Sequence, residues 1–228
     1  MGHSFGTAQA RSTSRIREEI STNKVLRQTY LLLSATLVVS AAAAGVSMAF
    51  ALPMPHWILA LVISLGLLFG TMAARNSPLG LVLIFAFTGF HGYILGPMLN
   101  AYLTILPNGA EVIFTALAAT AGIFLGLSAY VLTTKRDFSY LGGFLFAGLI
   151  GAILVGLAAW FFALPMLSLA VSGVMVLLMS GYILYDTSEI VNGGETNYIS
   201  ATISLYLDIL NLFIHLLQIL GALSGDDD

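Results

Sequence analysis

Asp186 and Asp208 are the two residues whose type and placement demand chemistry. They lie in the stretch GYILYDTSEIVNGGETNYISATISLYLDILNLFIHLLQILGAL over residues 181–223, where two apolar segments flank a polar turn. Each aspartate is eleven residues from Asn197, near the middle of that turn. Two antiparallel helices folded about that point bring both carboxylates to one depth. An ionisable group at membrane depth costs roughly 2.5–3.5 kcal/mol on insertion scales, which makes it a functional candidate by default. Two carboxylates close together in a low-dielectric site cannot both ionise cheaply, so they come to share a proton. Ionised, the pair is an oxygen site for a hard cation such as Ca²⁺, held transiently. The plainer alternative is that each aspartate separately caps a helix or meets the membrane interface.

The second segment carries more than its aspartate. Ser204, Asp208, Asn211, His215 and Gln218 follow one another at steps of four, three, four and three, which keeps all five on one helix face. The opposite face is Leu, Ile and Phe. A polar stripe on an apolar membrane helix faces a bundle interior or a wet cavity rather than lipid. Asp186, Asp208, Asn211 and His215 are therefore candidates for lining a path for ions or protons. The competing reading is a hydrogen-bond network that only fixes helix packing. Other polar residues are weaker candidates. His91, one turn after Thr88, reads as a packing histidine more readily than as a proton relay. Gly92, Gly96 and Pro97 point to a kink in their helix. His56 beside Trp57 reads as an interfacial anchor. Ser128 and Tyr130 have no nearby base, and no apolar helix contains HExxH or a Gly-Asp pair, so no enzyme activity and no cofactor are expected.

The elements that must position these residues follow from composition. The chain has 228 residues, 58% hydrophobic and only 8% charged, against about 25% charged in soluble domains. It is read as an integral, all-α membrane protein. There is no cysteine, which excludes disulfides, thiolate metal sites and cysteine nucleophiles. No basic stretch of the nucleic-acid-binding kind occurs.

Seven segments, at about 28–50, 56–74, 79–99, 110–133, 139–162, 166–187 and 203–223, are long enough to span a bilayer. Short connections with Pro, Gly and Asn separate them. Residues 28–223 thus form one transmembrane domain, between a basic flexible tail (1–27) and a short acidic one (224–228). The run at Leu31–Gly45 is read as the first span rather than as a cleaved leader.

All eight basic residues fall on one side of this arrangement, so the N-terminus is expected in the cytoplasm and the C-terminus outside. Small residues recur every fourth position at Ala41/Gly45/Ala49, Gly66/Gly70/Ala74, Ala118/Gly122/Gly126 and Gly148/Ala152/Gly156. These ridges are expected to be helix-packing seams.

Several long motifs carry a resemblance. The seven-span pattern, ILYD ending at Asp186 and SLYLDILNLFIHLLQILG from Ser204 resemble the Bax inhibitor-1 family. NKVLRQTYLLLSATL from Asn23, FAFTGFHGYILGPMLNAYL from Phe85, SAYVLTTKRDFSYLGG from Ser128 and GGETNYISATISLY from Gly193 look closest to its branch of bacterial inner-membrane modulators of the FtsH protease. The similarity covers about 23–223.

The resemblance implies a seven-helix bundle with a central last helix in the bacterial inner membrane, and FtsH as partner. It also implies a second, compatible activity, a pH-sensitive calcium leak closed by paired aspartates, which map onto Asp186 and Asp208. An arginine near the cytoplasmic end of the second helix takes part in that latch, and Arg75 is the basic residue in that region. A carboxylate further along the second helix has no counterpart between His56 and Ala74.

Overall fold

The structure is a computed structural model that describes residues 3–225, with side chains from Thr22 onward. The expected tail of residues 1–27 falls mostly on residues whose side chains lie outside that description. Asp226–Asp228 of the acidic tail lie outside it altogether.

Among the described residues seven α-helices follow one another: α1 (His3–Ala49), α2 (Trp57–Ala73), α3 (Pro78–Ile105), α4 (Gly109–Thr134), α5 (Gly142–Phe161), α6 (Pro165–Asn192) and α7 (Tyr198–Gly225). A single 3-10 turn, Ser139–Leu141, precedes α5. The boundaries have local causes. Pro78 and Pro165 open α3 and α6 at the first helical position, where a missing N–H costs nothing. Lys135 and Gly193 adopt left-handed backbone (φ 51° and 80°) and close α4 and α6. Six helices are long and apolar enough to cross a bilayer. The remaining one, α2, has 17 residues, at the lower limit for a span.

The expected spans fall on these helices, but 79–99, 166–187 and 203–223 stop short of the observed ends, and α1 begins well before residue 28. Past residue 187 hydropathy falls at Glu189 and Asn192 while the backbone stays helical.

More of α7 is buried than of any other span. It packs against α6, α1, α4, α3 and α2. Tyr206, 1% exposed, pins it in place: its hydroxyl donates to the Thr88 carbonyl (3.3 Å) and lies 2.8 Å from Ser40 Oγ. At the other extreme stands α5. Among the described residues its backbone approaches only α6 and its own leading 3-10 turn, and stays apart from that of α7.

The tightest seam is between α1 and α3, and the expected small-residue ridges did not locate it. Gly45, Gly66, Gly122 and Gly126 face open space, whereas Gly70 packs against Leu83 of α3, and Gly148 and Gly156 pack against Leu178 and Val171 of α6. The close approach is made by Gly92 and Gly96. A methyl group at Gly92 would overlap the Ser40 carbonyl, and one at Gly96 would overlap the Ser47 side chain.

That proximity meets a specific need. Pro97 sits inside α3 and has no N–H, so the Tyr93 carbonyl loses its helical donor. Ser47 Oγ on α1 donates to that carbonyl at 2.9 Å, and α3 runs on as helix to Ile105.

The loops at the hairpin end are tied together. Asn197 caps α7 by accepting from the Ile199 and Ser200 N–H groups (3.0 and 3.1 Å) and donates to Asn76 Oδ1 (2.7 Å) and the Arg75 carbonyl (3.1 Å). Ser188 Oγ on α6 accepts the Phe138 N–H at 2.8 Å. The Ser139 N–H and hydroxyl hold the exposed Asp137 carboxyl below its ordinary range.

Removing the Ser47 hydroxyl leaves a buried carbonyl unpaired, which costs about 1–3 kcal/mol. Thermal unfolding in detergent is expected to show Ser47→Ala losing stability in a wild-type background. It is expected to lose little where Pro97→Ala restores the donor within α3.

Candidate functional site

The site is built on the seam between α6 and α7. Because the hairpin folds close to Asn197, Asp186 and Asp208 arrive together on the wall of one cavity. Asp208 is only 5% exposed, and its Oδ2 has no partner. Asp186 is half-buried.

Two cavities meet at this pair. The larger, about 420 Å³, lies in the slot between α5, α6 and α7, lined by Leu149, Ile153, Met175, Met179, Tyr182, Leu207 and Asn211 together with both aspartates and Ser204. The smaller, about 150 Å³, lies toward the hairpin turn, with Tyr185, Glu189 and Glu195 on its wall. Asp186 and Ser204 line both cavities, whereas Asp208 lines only the larger. Asp186 thus stands where the acidic mouth meets the inner slot.

The rest of the stripe also turns toward α6. Asn211 lines the slot and donates to its own helix at the Leu207 carbonyl (2.8 Å). His215 Nδ1 lies 3.1 Å from Ser172 Oγ, Ser172 Oγ donates to Gln218 Oε1 at 2.9 Å, and Gln218 Nε2 donates to Ser168 Oγ at 3.0 Å. Ser172 has one proton. When it goes to Gln218, the histidine must be the donor and carry its hydrogen on Nδ1. The stripe is therefore continuous in space: carboxyl pair, slot, then a serine–histidine–glutamine network.

The remaining candidates are placed elsewhere. Arg75 lies on the exposed turn after α2, and its Nη1 reaches Ser200 Oγ at 3.5 Å. Among the described residues no hydrogen bond or ion pair joins it to either aspartate. His91 bonds the Phe87 carbonyl (2.9 Å) and packs its ring against Phe87 at 4.3 Å. His56 packs on Trp57 at the far end of the bundle. No described group of three or more His, Asp or Glu side chains is arranged to hold a metal ion.

A central polar helix, a two-aspartate seam and seven apolar helices set the frame for comparison with known proteins. Residues 22–225 match the family described as Inhibitor of apoptosis-promoting Bax1. The chain belongs to the Bax inhibitor-1 family. Among its relatives, a protein of Escherichia coli K12 called Modulator of FtsH protease YccA is 52% identical over 208 residues, covering 91% of this chain and 94% of that protein. An uncharacterized membrane protein of Vibrio cholerae is 53% identical over 216 residues, 94% of this chain and 96% of its own. The Bax inhibitor 1 of Schizosaccharomyces pombe is 36% identical over 213 residues, 89% of this chain and 78% of its own. The Bax inhibitor-1 bundle thus extends across nearly the whole of this membrane protein.

Sequence reasoning missed the α6 half of the network. Ser168 and Ser172 are one turn apart on one face, a signal that was available. They escaped because the mirror count about Asn197 that pairs the aspartates fails further out. His215 is 18 residues from Asn197 and its partner Ser172 is 25, as happens where helices cross at an angle. Ser172→Ala strands both His215 and Gln218. It is expected to lower stability in detergent by about 1–3 kcal/mol, measured by thermal unfolding, while Asn211→Ala, whose bond is within its own helix, is expected to lower it less.

Proposed function

We propose that this protein modulates a membrane-bound FtsH protease in the bacterial inner membrane, limiting the degradation of other membrane substrates. The observation that carries the reading is the 52% identity, over 91% of this chain, to the E. coli protein that bears the name Modulator of FtsH protease. Another E. coli relative is named an inner membrane protein, which supports that location. Lys24, Arg27, Arg75, Lys135 and Arg136 all lie toward the hairpin end of the bundle. By the positive-inside rule that end faces the cytoplasm, with the N-terminal tail beside it and the C-terminus in the periplasm.

A processive protease needs a segment to grip, and residues 1–20 are polar and basic with few apolar side chains. In cells carrying FtsH, deletion of residues 1–20 is expected to lengthen the protein's lifetime several-fold in a pulse-chase. Overproduction of the full chain is expected to slow turnover of a second FtsH membrane substrate. An unchanged lifetime and unchanged substrate turnover would overturn the reading.

A second, compatible activity has its own observation. Asp186 lies between the acidic mouth and the inner slot, whose wall it shares with Asp208. A carboxyl pair that shares a proton there closes a path, and one that has lost it attracts a cation. Conduction needs binding weak enough to release the ion, which suits a site with few oxygens. The pair then acts as the latch of a slow Ca²⁺ leak. Arg75, one residue beyond the end cap of α2, steadies the hairpin through Ser200. In vesicles loaded with a calcium dye, the wild-type protein is expected to pass Ca²⁺ in a pH-dependent manner. Asp186→Asn or Asp208→Asn is expected to flatten that dependence. No flux, or flux indifferent to both changes, would falsify the latch.

A further inference from the structure

The slot above Asp208 has a chemistry that neither protease binding nor calcium passage uses. Its walls are Leu149 and Ile153 from α5, Met175 and Met179 from α6, and Leu207 from α7. At about 420 Å³ it falls within the usual range for small-molecule sites, roughly 300–1,000 Å³. Ile153 is 47% exposed, so the α5 wall borders the lipid. Along this flank the backbones of α5 and α7 stay apart among the described residues.

One polar group on the wall of the slot stands out. Asp208 lines the slot; the residue is 95% removed from solvent and its Oδ2 has no hydrogen-bond partner. A buried acceptor left bare costs about 1–3 kcal/mol, more when charged. A ligand that supplies a donor relieves that cost.

The shape of the slot narrows the ligand. Ca²⁺ seeks six to eight oxygens, whereas the slot offers the two carboxyls with Ser204, Tyr182 and Asn211 among walls that are otherwise hydrocarbon and thioether. Water would satisfy the carboxyl but gains nothing from the walls. A single ammonium group offers three donors and one positive charge, and a hydrocarbon chain behind it has the apolar walls to lie on. Methionines in the wall adapt to chains of differing shape.

We propose that this slot binds a lipophilic primary amine from the bilayer, its ammonium on Asp208 and its chain along α5. The inference shares the aspartate pair with the latch but needs no ion to pass.

Dodecylamine is a suitable probe. Radiolabelled dodecylamine is titrated onto the full-length protein in phosphatidylcholine nanodiscs at pH 7, with empty nanodiscs subtracted. The expected result is saturable binding, displaced by unlabelled dodecylamine and not by dodecanol or dodecanoate. Asp208→Asn is expected to weaken binding by at least about tenfold. Ile153→Trp fills the slot from the lipid side, touches neither carboxyl, and is expected to weaken binding comparably. No saturable excess over empty nanodiscs, equal displacement by dodecanol, or unchanged affinity in either variant overturns the proposal. Calcium flux of the same variants in dye-loaded vesicles separates the two readings. Amine binding without flux keeps this site and removes the leak, and flux without amine binding does the reverse.

Discussion

A carboxylate cannot face hydrocarbon, and the placing of α7 follows from that constraint. Asp208 sits in mid-helix, on a stripe that also holds Ser204, Asn211, His215 and Gln218. No arrangement that leaves this helix at the periphery hides the stripe from lipid. It is therefore ringed by α1, α3, α4 and α6, with α2 touching from outside. The polar partners it needs come mainly from the one helix it must meet, since the α6–α7 turn spans only residues 193–197. Architecture and site are thus one solution: the helix with the costliest side chains becomes the axis, and its hairpin partner carries the second carboxyl.

The same rule governs the backbone. Pro97 removes a donor from α3 in the middle of the bundle, and the Tyr93 carbonyl is satisfied from α1 by Ser47. Gly96 makes room for that serine. Fixed in this way, α1 and α3 form a frame against which Tyr206 locks α7. The hairpin end is fixed separately by Asn197 and Ser188, each of which holds a neighbouring loop. Between these two fastened zones lies the aspartate pair.

Much of this was legible in the sequence. Seven helices, their connections and the pairing of Asp186 with Asp208 could be read because hydropathy and a symmetric turn each depend on local spacing. The motifs likewise pointed to the Bax inhibitor-1 family. What could not be read depends on how helices cross. Small-residue ridges look alike whether they face a neighbour or lipid, so Gly122 and Gly126 looked like a seam, and the close approach of α1 at Gly92 and Gly96 was not read. The partners of His215 lie at a register that no count about Asn197 finds. Arg75 was offered by the resemblance alone, as the basic residue at the end of the second helix, and it lies on the exposed turn beside Ser200. The slot itself is invisible in sequence, because it arises where the backbone of α5 stays apart from that of α7.

That separation gives α5 a distinct mechanical position. It is a 20-residue stave fastened along α6, with Trp160 resting near Trp57 of α2 at the far end (6.2 Å). Phe144, Phe146, Leu154 and Phe161 present their sides to the bilayer. A helix whose hydrophobic length departs from the local thickness adjusts by tilting. Here the tilt works against one long seam, while the other spans that border α7 brace one another. Among the long spans, α5 is thus the one held along a single helix seam, on the lipid side of the gap beside Asp208.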